Sequence, residues 1–208
     1  MENRPIVLGS TSRYRKALLA RLGVPFETAA PNVGESPLEG EAPVATCERL
    51  ALAKARAVAA RYEHALVIGS DQVANADGVA IGKPGGRDEA IAQLARLSGR
   101  AIVFHTGVAL VDAASGRSHV ARVDVTTRFR TLSSETIEAY VDCERPFDCA
   151  GSIKSEGLGI ALVEGIDSAD PTALIGLPLI TVVDLLRRED FDVVTYAARS
   201  LDAKNGAP

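Results

Sequence analysis

Residues 7–26 read VLGSTSRYRKALLARLGVPF, and this stretch decides the fold. An apolar strand, Ile6–Leu8, runs into Gly9, Ser10, Thr11 and Ser12, and these small residues lead directly into an amphipathic helix. Ser12 is the natural N-cap. Arg13, Tyr14 and Arg15 fill the first turn, where an acidic side chain is the usual choice. Unpaired N–H groups and partial positive charge already mark a helix N-terminus, so two arginines there build an anion site, with phosphate the leading candidate. Arg15, Leu18, Leu19 and Leu22 fall at spacings of three, four and seven, so Arg15 heads the core-facing stripe. Tyr14, four residues before Leu18, lies close to the same face. A solvated arginine pair on an ordinary surface helix is the competing reading.

Working outward, strand and helix signals alternate from the start, which favours an α/β domain. Phe26–Ala30 reads as a second strand, and a Pro/Gly/Glu-rich loop spans Pro31–Pro43. A second helix covers Val44–Tyr62. The continuous apolar run Ala65–Ser70 suits a strand buried on both faces. Asp77-Gly78 marks a tight turn, and Gly82-Lys83-Pro84 breaks the chain before a helix at Asp88–Leu97. Arg100–Val111 and His119–Arg130 bracket Ala114-Ser115-Gly116 as a long hairpin, whose second arm alternates apolar and polar residues. Ser133 or Ser134 caps a helix through Val141. A glycine-rich stretch, Gly151–Gly159, precedes a short strand at Ile160–Val163, and the last helix follows Pro178 and ends near Arg188. No linker or repeat divides the chain. The reading is one domain over residues 1–200 with two lobes around a cleft, and a frayed tail over 201–208.

Composition narrows the function classes. The 208 residues are 47% hydrophobic and 24% charged, ordinary for a globular protein with a sizeable core. A net charge of −4 argues against a broad basic surface for nucleic acid, but not against a small anionic substrate held by a local cation cluster. Aromatic residues make up only 4% of the chain, with no tryptophan, so a base-stacking platform for single strands is not expected. The cysteines Cys47, Cys143 and Cys149 form no C-x-x-C pair and leave an odd thiol, which suits a reducing compartment. The start MENRP lacks a signal-peptide core, and no apolar run approaches a membrane span. These features lead to the expectation of a cytoplasmic protein without membrane contact.

Several side chains stand out against this background. Lys54 shares the apolar face of the second helix with Cys47, Leu50, Ala51 and Val58. A lysine there is costly unless paired or snorkelling, so it is either an internal salt bridge, a snorkelling side chain or a cation aimed into a cleft. Asp71 follows the apolar run 66–70, placing it at the carboxyl end of a central strand, where open α/β sheets bind ligands. A turn-initiating aspartate is the alternative. Glu35 could join Asp71 in holding a hard divalent ion, since Mg²⁺ takes one or two carboxylates plus waters and substrate phosphates. Lys83 precedes proline and is therefore extended. The spacing from Gly78 to Lys83-Pro84 fails the Walker pattern. His64, His105 and His119 lack metal-ligand spacing; His64 reads as surface and His105 as a strand residue with a satisfied hydrogen bond.

The order of the pieces resembles the Maf-type nucleoside triphosphate pyrophosphatases. The segments that carry the likeness are LGSTSRYRKALLARLGVPFE, Glu35, ERLALAKA, VIGSDQV, IGKP, CAGSIKSEGLG and IGLPLI, reaching to about Arg188. SDQ and the K-S-E-G segment place the chain nearest the branch acting on 7-methyl-GTP. The branch acting on thymidine and uridine triphosphates has a Y-G-I-Q-G-like segment and an arginine at the position of Tyr14. The resemblance implies a mixed, twisted sheet flanked by helices, as in inosine triphosphatase-like folds, and hydrolysis between the α and β phosphates. It makes Asp71 the base that activates water, Ser10, Arg15, Lys54 and Lys83 the triphosphate contacts, and Glu35 with Asp71 the site of a Mg or Mn ion. Tyr14, Gln72 and Glu156 become the specificity positions, and a homodimer is expected. The chain departs from the family pattern at Arg13, where proline is usual, at Gly34, where an acid is usual, and at Tyr14, where this branch commonly has tryptophan.

The branch has physical sense: methylation at N7 makes guanine cationic, and an aromatic face attracts a cation by about 0.5–2 kcal/mol. Glu156 could add charge pairing or accept hydrogen bonds from the base. Two rivals remain at this point. One is the same enzyme with broader taste for pyrimidine triphosphates. The other is a non-catalytic nucleotide-binding regulator of cell division, which would have no need of a water-activating base at Asp71.

Overall fold

Seven strands join a single mixed sheet in the computed structural model, which describes residues 4–205. They are β1 (Ile6–Leu8), β2 (Phe26–Thr28), β3 (Leu66–Ala76), β4 (Val79–Ile81), β5 (Ala101–Asp112), β6 (Ser118–Phe129) and β7 (Val163–Asp167). Their order is β2-β1-β3-β5-β6-β7, with β4 paired to the far end of β3. β1 runs parallel to β2 and β3, and the remaining pairs are antiparallel. The helices are α1 (Arg13–Ala20), α2 (Pro43–Ala59), α3 (Arg87–Leu97), α4 (Ser134–Glu144), α5 (Leu179–Arg187) and α6 (Val193–Asn205).

Alternation along the long strands sorts the packing. Leu66 and Ile68 of β3, with Val108 and Leu110 of β5, meet Leu18 and Leu19 of α1 and Val182 and Leu185 of α5 in one core. Further along the same face, Ala74, Phe104, Val125 and Phe129 pack with α3 and α4 in a second core. The opposite face takes α2, whose Ala51, Ala55 and Val58 cover Val7, Val67 and Ala109. Between the first two cores the face turns polar at Ser70, Gln72 and Thr106, each buried or partly buried. This seam anchors the backbone of residues 173–176: Ser70 Oγ donates to Gly176 O at 2.9 Å and Thr106 Oγ1 to Ala173 O at 3.0 Å.

The sheet also has a notch. β1 pairs with β3 as far as Leu8↔Ile68, and Gly9 N closes that ladder on Ile68 O at 2.8 Å. β4 takes up the same edge only from Ala74. Among the described residues, the edge of β3 at 69–73 therefore has no strand on that side, and side chains from both faces reach one opening there.

Some boundaries differ from the sequence reading. β3 does not end at Ser70 but continues through Ala76 in register with β5, so Asp71 lies within the strand. It sits just past the point where the parallel partner β1 stops, so the strand-end rule picked a residue beside the notch. Ile160–Val163 is mostly a 3₁₀ turn (Leu158–Leu162), and the strand begins at Val163. The tail expected from Leu201 is helical as far as Asn205 in α6, while 206–208 lie outside the described residues. Asp192 starts α6, accepting from Thr195 N at 2.7 Å, and Phe191 stacks on Tyr196 with ring centres 5.1 Å apart.

Candidate active site

The α1 N-terminus forms as its residues dictate. Ser12 is the N-cap and accepts from Arg15 N, while Ser10 Oγ accepts from Ser12 N at 3.1 Å. Arg15 leans from the helix onto the 173–176 loop, where its Nε donates to Gly176 O at 2.8 Å. Gly176 has φ +115°, a left-handed backbone that L side chains rarely adopt. Burial drags the Arg15 guanidinium below its ordinary value, and the charges of Asp71 and Glu35 work the other way. An arginine held so beside two carboxylates remains a cation.

Two glycines bring α2 close enough to complete the centre. A Cβ on Gly69 of β3 would stand 2.6 Å from Ala55 N, and one on Gly107 of β5 would stand 2.5 Å from Cys47 O. Only bare backbone lets the helix lie this near the sheet. That approach carries Lys54 Nζ to 2.7 Å from Asp71 Oδ1 and 2.7 Å from Glu35 Oε1. Lys54 is 4% exposed, which excludes snorkelling; the ammonium is paired on both sides. Burial pushes the Glu35 carboxyl up, but the hydrogen bond and charge of Lys54, with the charges of Lys83 and Arg15, outweigh it and hold the group below its ordinary value.

Ser10, Tyr14, Arg15, Glu35, Lys54, Asp71, Gln72, Lys83 and Glu156 all line one cavity of about 580 Å³ at the notch. That size is within the usual range for small-molecule sites. At its base lies the carboxylate–lysine centre. Lys83, exposed on the loop between β4 and α3, brings a further cation. Gln72 is tethered, its amide nitrogen lying 3.0 Å from Thr106 Oγ1, Ala173 O and Leu174 O. Tyr14 Oη is 3.3 Å from Asp148 Oδ1, and Arg13 lies over its ring.

Glu35 and Asp71 converge on one point, each with an oxygen 2.7 Å from the Lys54 ammonium nitrogen. Among the described residues no group of three or more His, Cys, Asp or Glu side chains converges. Two carboxylates alone could hold a divalent ion only if water and phosphate oxygens completed its shell. The histidines stand elsewhere. His105 is buried between Asp124 at 2.8 Å and Asn75 at 3.0 Å, and His64 is exposed, both as expected.

The sequence reading missed Asp148 and Cys149, which also line the cavity, and the part played by the 173–176 loop. IGLPLI was legible as a motif, but nothing in it told that Gly176 O receives both Arg15 and Ser70. Asp148 sits in a loop without periodicity, and its approach to Tyr14 is across 134 residues of chain.

Fold and cavity together define an α/β protein whose notched sheet opens a cavity where Arg15, Lys54 and Lys83 stand beside Glu35 and Asp71. The pattern of the family described as Maf-like protein matches residues 5–189, and the chain belongs to that family. Among its relatives, a protein of Polaromonas sp. is 55% identical over 185 residues, spanning 89% of this chain and 84% of its own. One from Burkholderia thailandensis is 50% identical over 204 residues, 97% of this chain and 95% of that one. One from Thiobacillus denitrificans is 51% identical over 193 residues, covering 93% and 96%. All three bear the name 7-methyl-GTP pyrophosphatase. No described helix is long and apolar enough to cross a membrane.

Proposed function

We propose that the chain hydrolyses 7-methyl-GTP to 7-methyl-GMP and pyrophosphate. The observation that carries this reading is the buried Lys54 held between Asp71 and Glu35, at the base of a cavity shared with Arg15 and Lys83. The names borne by relatives at 50–55% identity support the same substrate.

Ser10, Arg15, Lys54 and Lys83, with the α1 N-terminus, hold the triphosphate, and their guanidinium and ammonium groups neutralise charge on the departing pyrophosphate. Lys54 fixes one Asp71 oxygen at 2.7 Å, leaving the other to accept a proton from the attacking water. That water attacks the α phosphorus, the bond to the α–β bridging oxygen breaks, and pyrophosphate leaves with the bond electrons. Glu35 and Asp71 would hold a divalent cation, Mg or Mn, whose chemistry is to neutralise phosphate charge. Tyr14, Gln72 and Glu156 line the part of the cavity that receives the base.

A nucleotide panel with pyrophosphate detection tests the reading. Catalytic efficiency should run 7-methyl-GTP above GTP, and GTP above the thymidine and uridine triphosphates. Equal or greater efficiency on the pyrimidine triphosphates would favour the broader enzyme, and tight binding without pyrophosphate release would favour a regulator.

A further inference from the structure

Arg13, Tyr14 and Asp148 bridge the first turn of α1 and the loop that follows α4. The Arg13 guanidinium carbon stands 4.7 Å from the centre of the Tyr14 ring. Its Nη2 donates to Tyr14 Oη at 2.6 Å and lies 3.8 Å from Asp148 Oδ2. Tyr14 Oη also lies 3.3 Å from Asp148 Oδ1 and can donate its proton there. All three residues line the cavity, and the hydrolytic scheme uses neither charged one. The group is an aromatic face already occupied by a cation, with a carboxylate beside it.

A positively charged base entering this wall meets two opposed charges. Asp148 attracts it. Arg13 repels it and competes for the ring. Burial pushes the neighbouring Cys149 thiol up to about 12 and raises the Tyr14 phenol as well, so neither adds a charge near neutral pH. The Arg13 and Asp148 side chains are 71% and 54% exposed, so the pair is weakly held and free to exchange partners.

Resting on the substrate class proposed above, we infer that Arg13 and Asp148 are opposed specificity determinants at the Tyr14 wall. Asp148 favours a cationic base and Arg13 disfavours it, so their balance sets the preference for a methylated over a neutral guanine. A neutral base feels both charges far less. The pair acts on the ratio between substrates more than on turnover of either.

The rival reading is a strap that merely ties α1 to the 146–150 loop. Because each substitution breaks the same bridge, a strap predicts that losing either partner acts in the same direction. Opposed determinants predict opposite directions. The test compares kcat/KM on 7-methyl-GTP and GTP for the unaltered protein, Arg13→Gln, Asp148→Asn and the double variant, at low and high salt. Asp148→Asn should lower the ratio about three- to tenfold and Arg13→Gln should raise it by a similar factor. The double variant should return near the starting ratio, and both shifts should shrink at high salt. Shifts in the same direction, or no shift in either, would overturn the inference. The ratio of the unaltered protein tests the substrate separately: absence of a 7-methyl preference there counts against the substrate, while the directions of the two shifts still decide the wall.

Discussion

Lys54 Nζ lies 2.7 Å from Asp71 Oδ1, joining the sheet-facing side of α2 to the middle of β3 in a contact almost closed to solvent. Removing one partner strands the other. Lys54→Ala leaves Asp71 buried without its hydrogen-bonded cation, with Glu35 facing it, and should cost on the order of 3 kcal/mol of stability. Urea unfolding without substrate measures this directly. An unfolding free energy equal to that of the unaltered protein would mean that the pair adds no net stability.

The approach of α2 to the sheet yields a prediction away from the charges. Gly107→Ala places a methyl group against the Cys47 carbonyl, so the helix must shift. The expected cost is about 1–3 kcal/mol, with hydrolysis falling further than stability because Lys54 moves with the helix. A thermal melt and an activity assay on one preparation separate the two effects. Full activity in a folded Gly107→Ala protein would show that the spacing of α2 does not position Lys54.

Glu35 gives the centre a pH signature. Its carboxyl is held below the ordinary 4.5 in the folded protein, so the unfolded chain takes up its proton first as acid is added. The stabilisation is therefore complete above about pH 5 and is lost as pH falls below about 4.5, through the folded value. Glu35→Gln should flatten this part of the acid-unfolding profile, below about pH 5. A profile as steep as that of the unaltered protein would assign the acid sensitivity to other carboxylates. The same variant should weaken the dependence of hydrolysis on added Mg or Mn, and undiminished hydrolysis in excess chelator would contradict the proposed Glu35–Asp71 ion site.

Much of the fold was legible because local rules and tertiary demands agree. Ser12 and Ser133 cap their helices as the sequence implies, and the Asp77-Gly78 turn has φ of 53° and 84°, as a tight hairpin requires. The alternation from Ala121 to Phe129 is a strand with its apolar face buried. Where polar residues serve the cavity and the seam, the pattern misleads. β3 looked finished at Ser70 because Asp71 and Gln72 face ligand space and the 173–176 backbone, not a core. α6 was missed because its polar sequence hides the helix, though Asp192 was a readable cap. Lys54 and Arg15 were found because a charge on an apolar stripe must have a reason. Asp148 violates no local rule and becomes informative only beside Tyr14.

Lys83→Ala should raise KM for 7-methyl-GTP about tenfold or more while leaving the unfolding midpoint nearly unchanged, since its side chain is exposed. Initial-rate kinetics and a urea titration read the two. A lowered midpoint with unaltered KM would make it a structural residue.

In the proposed reaction Asp71 takes the proton of the attacking water, and the rest of the centre serves that step. Asp71→Asn keeps the shape and can still accept from Lys54 through its carbonyl oxygen, but it cannot serve as the base. The decisive measurement is single-turnover hydrolysis of 7-methyl-GTP by this variant, alongside its affinity for the same nucleotide. Turnover should fall by at least about a hundredfold with nucleotide binding retained. Near-normal turnover in the folded variant would contradict the role of Asp71 and the hydrolytic centre built around it.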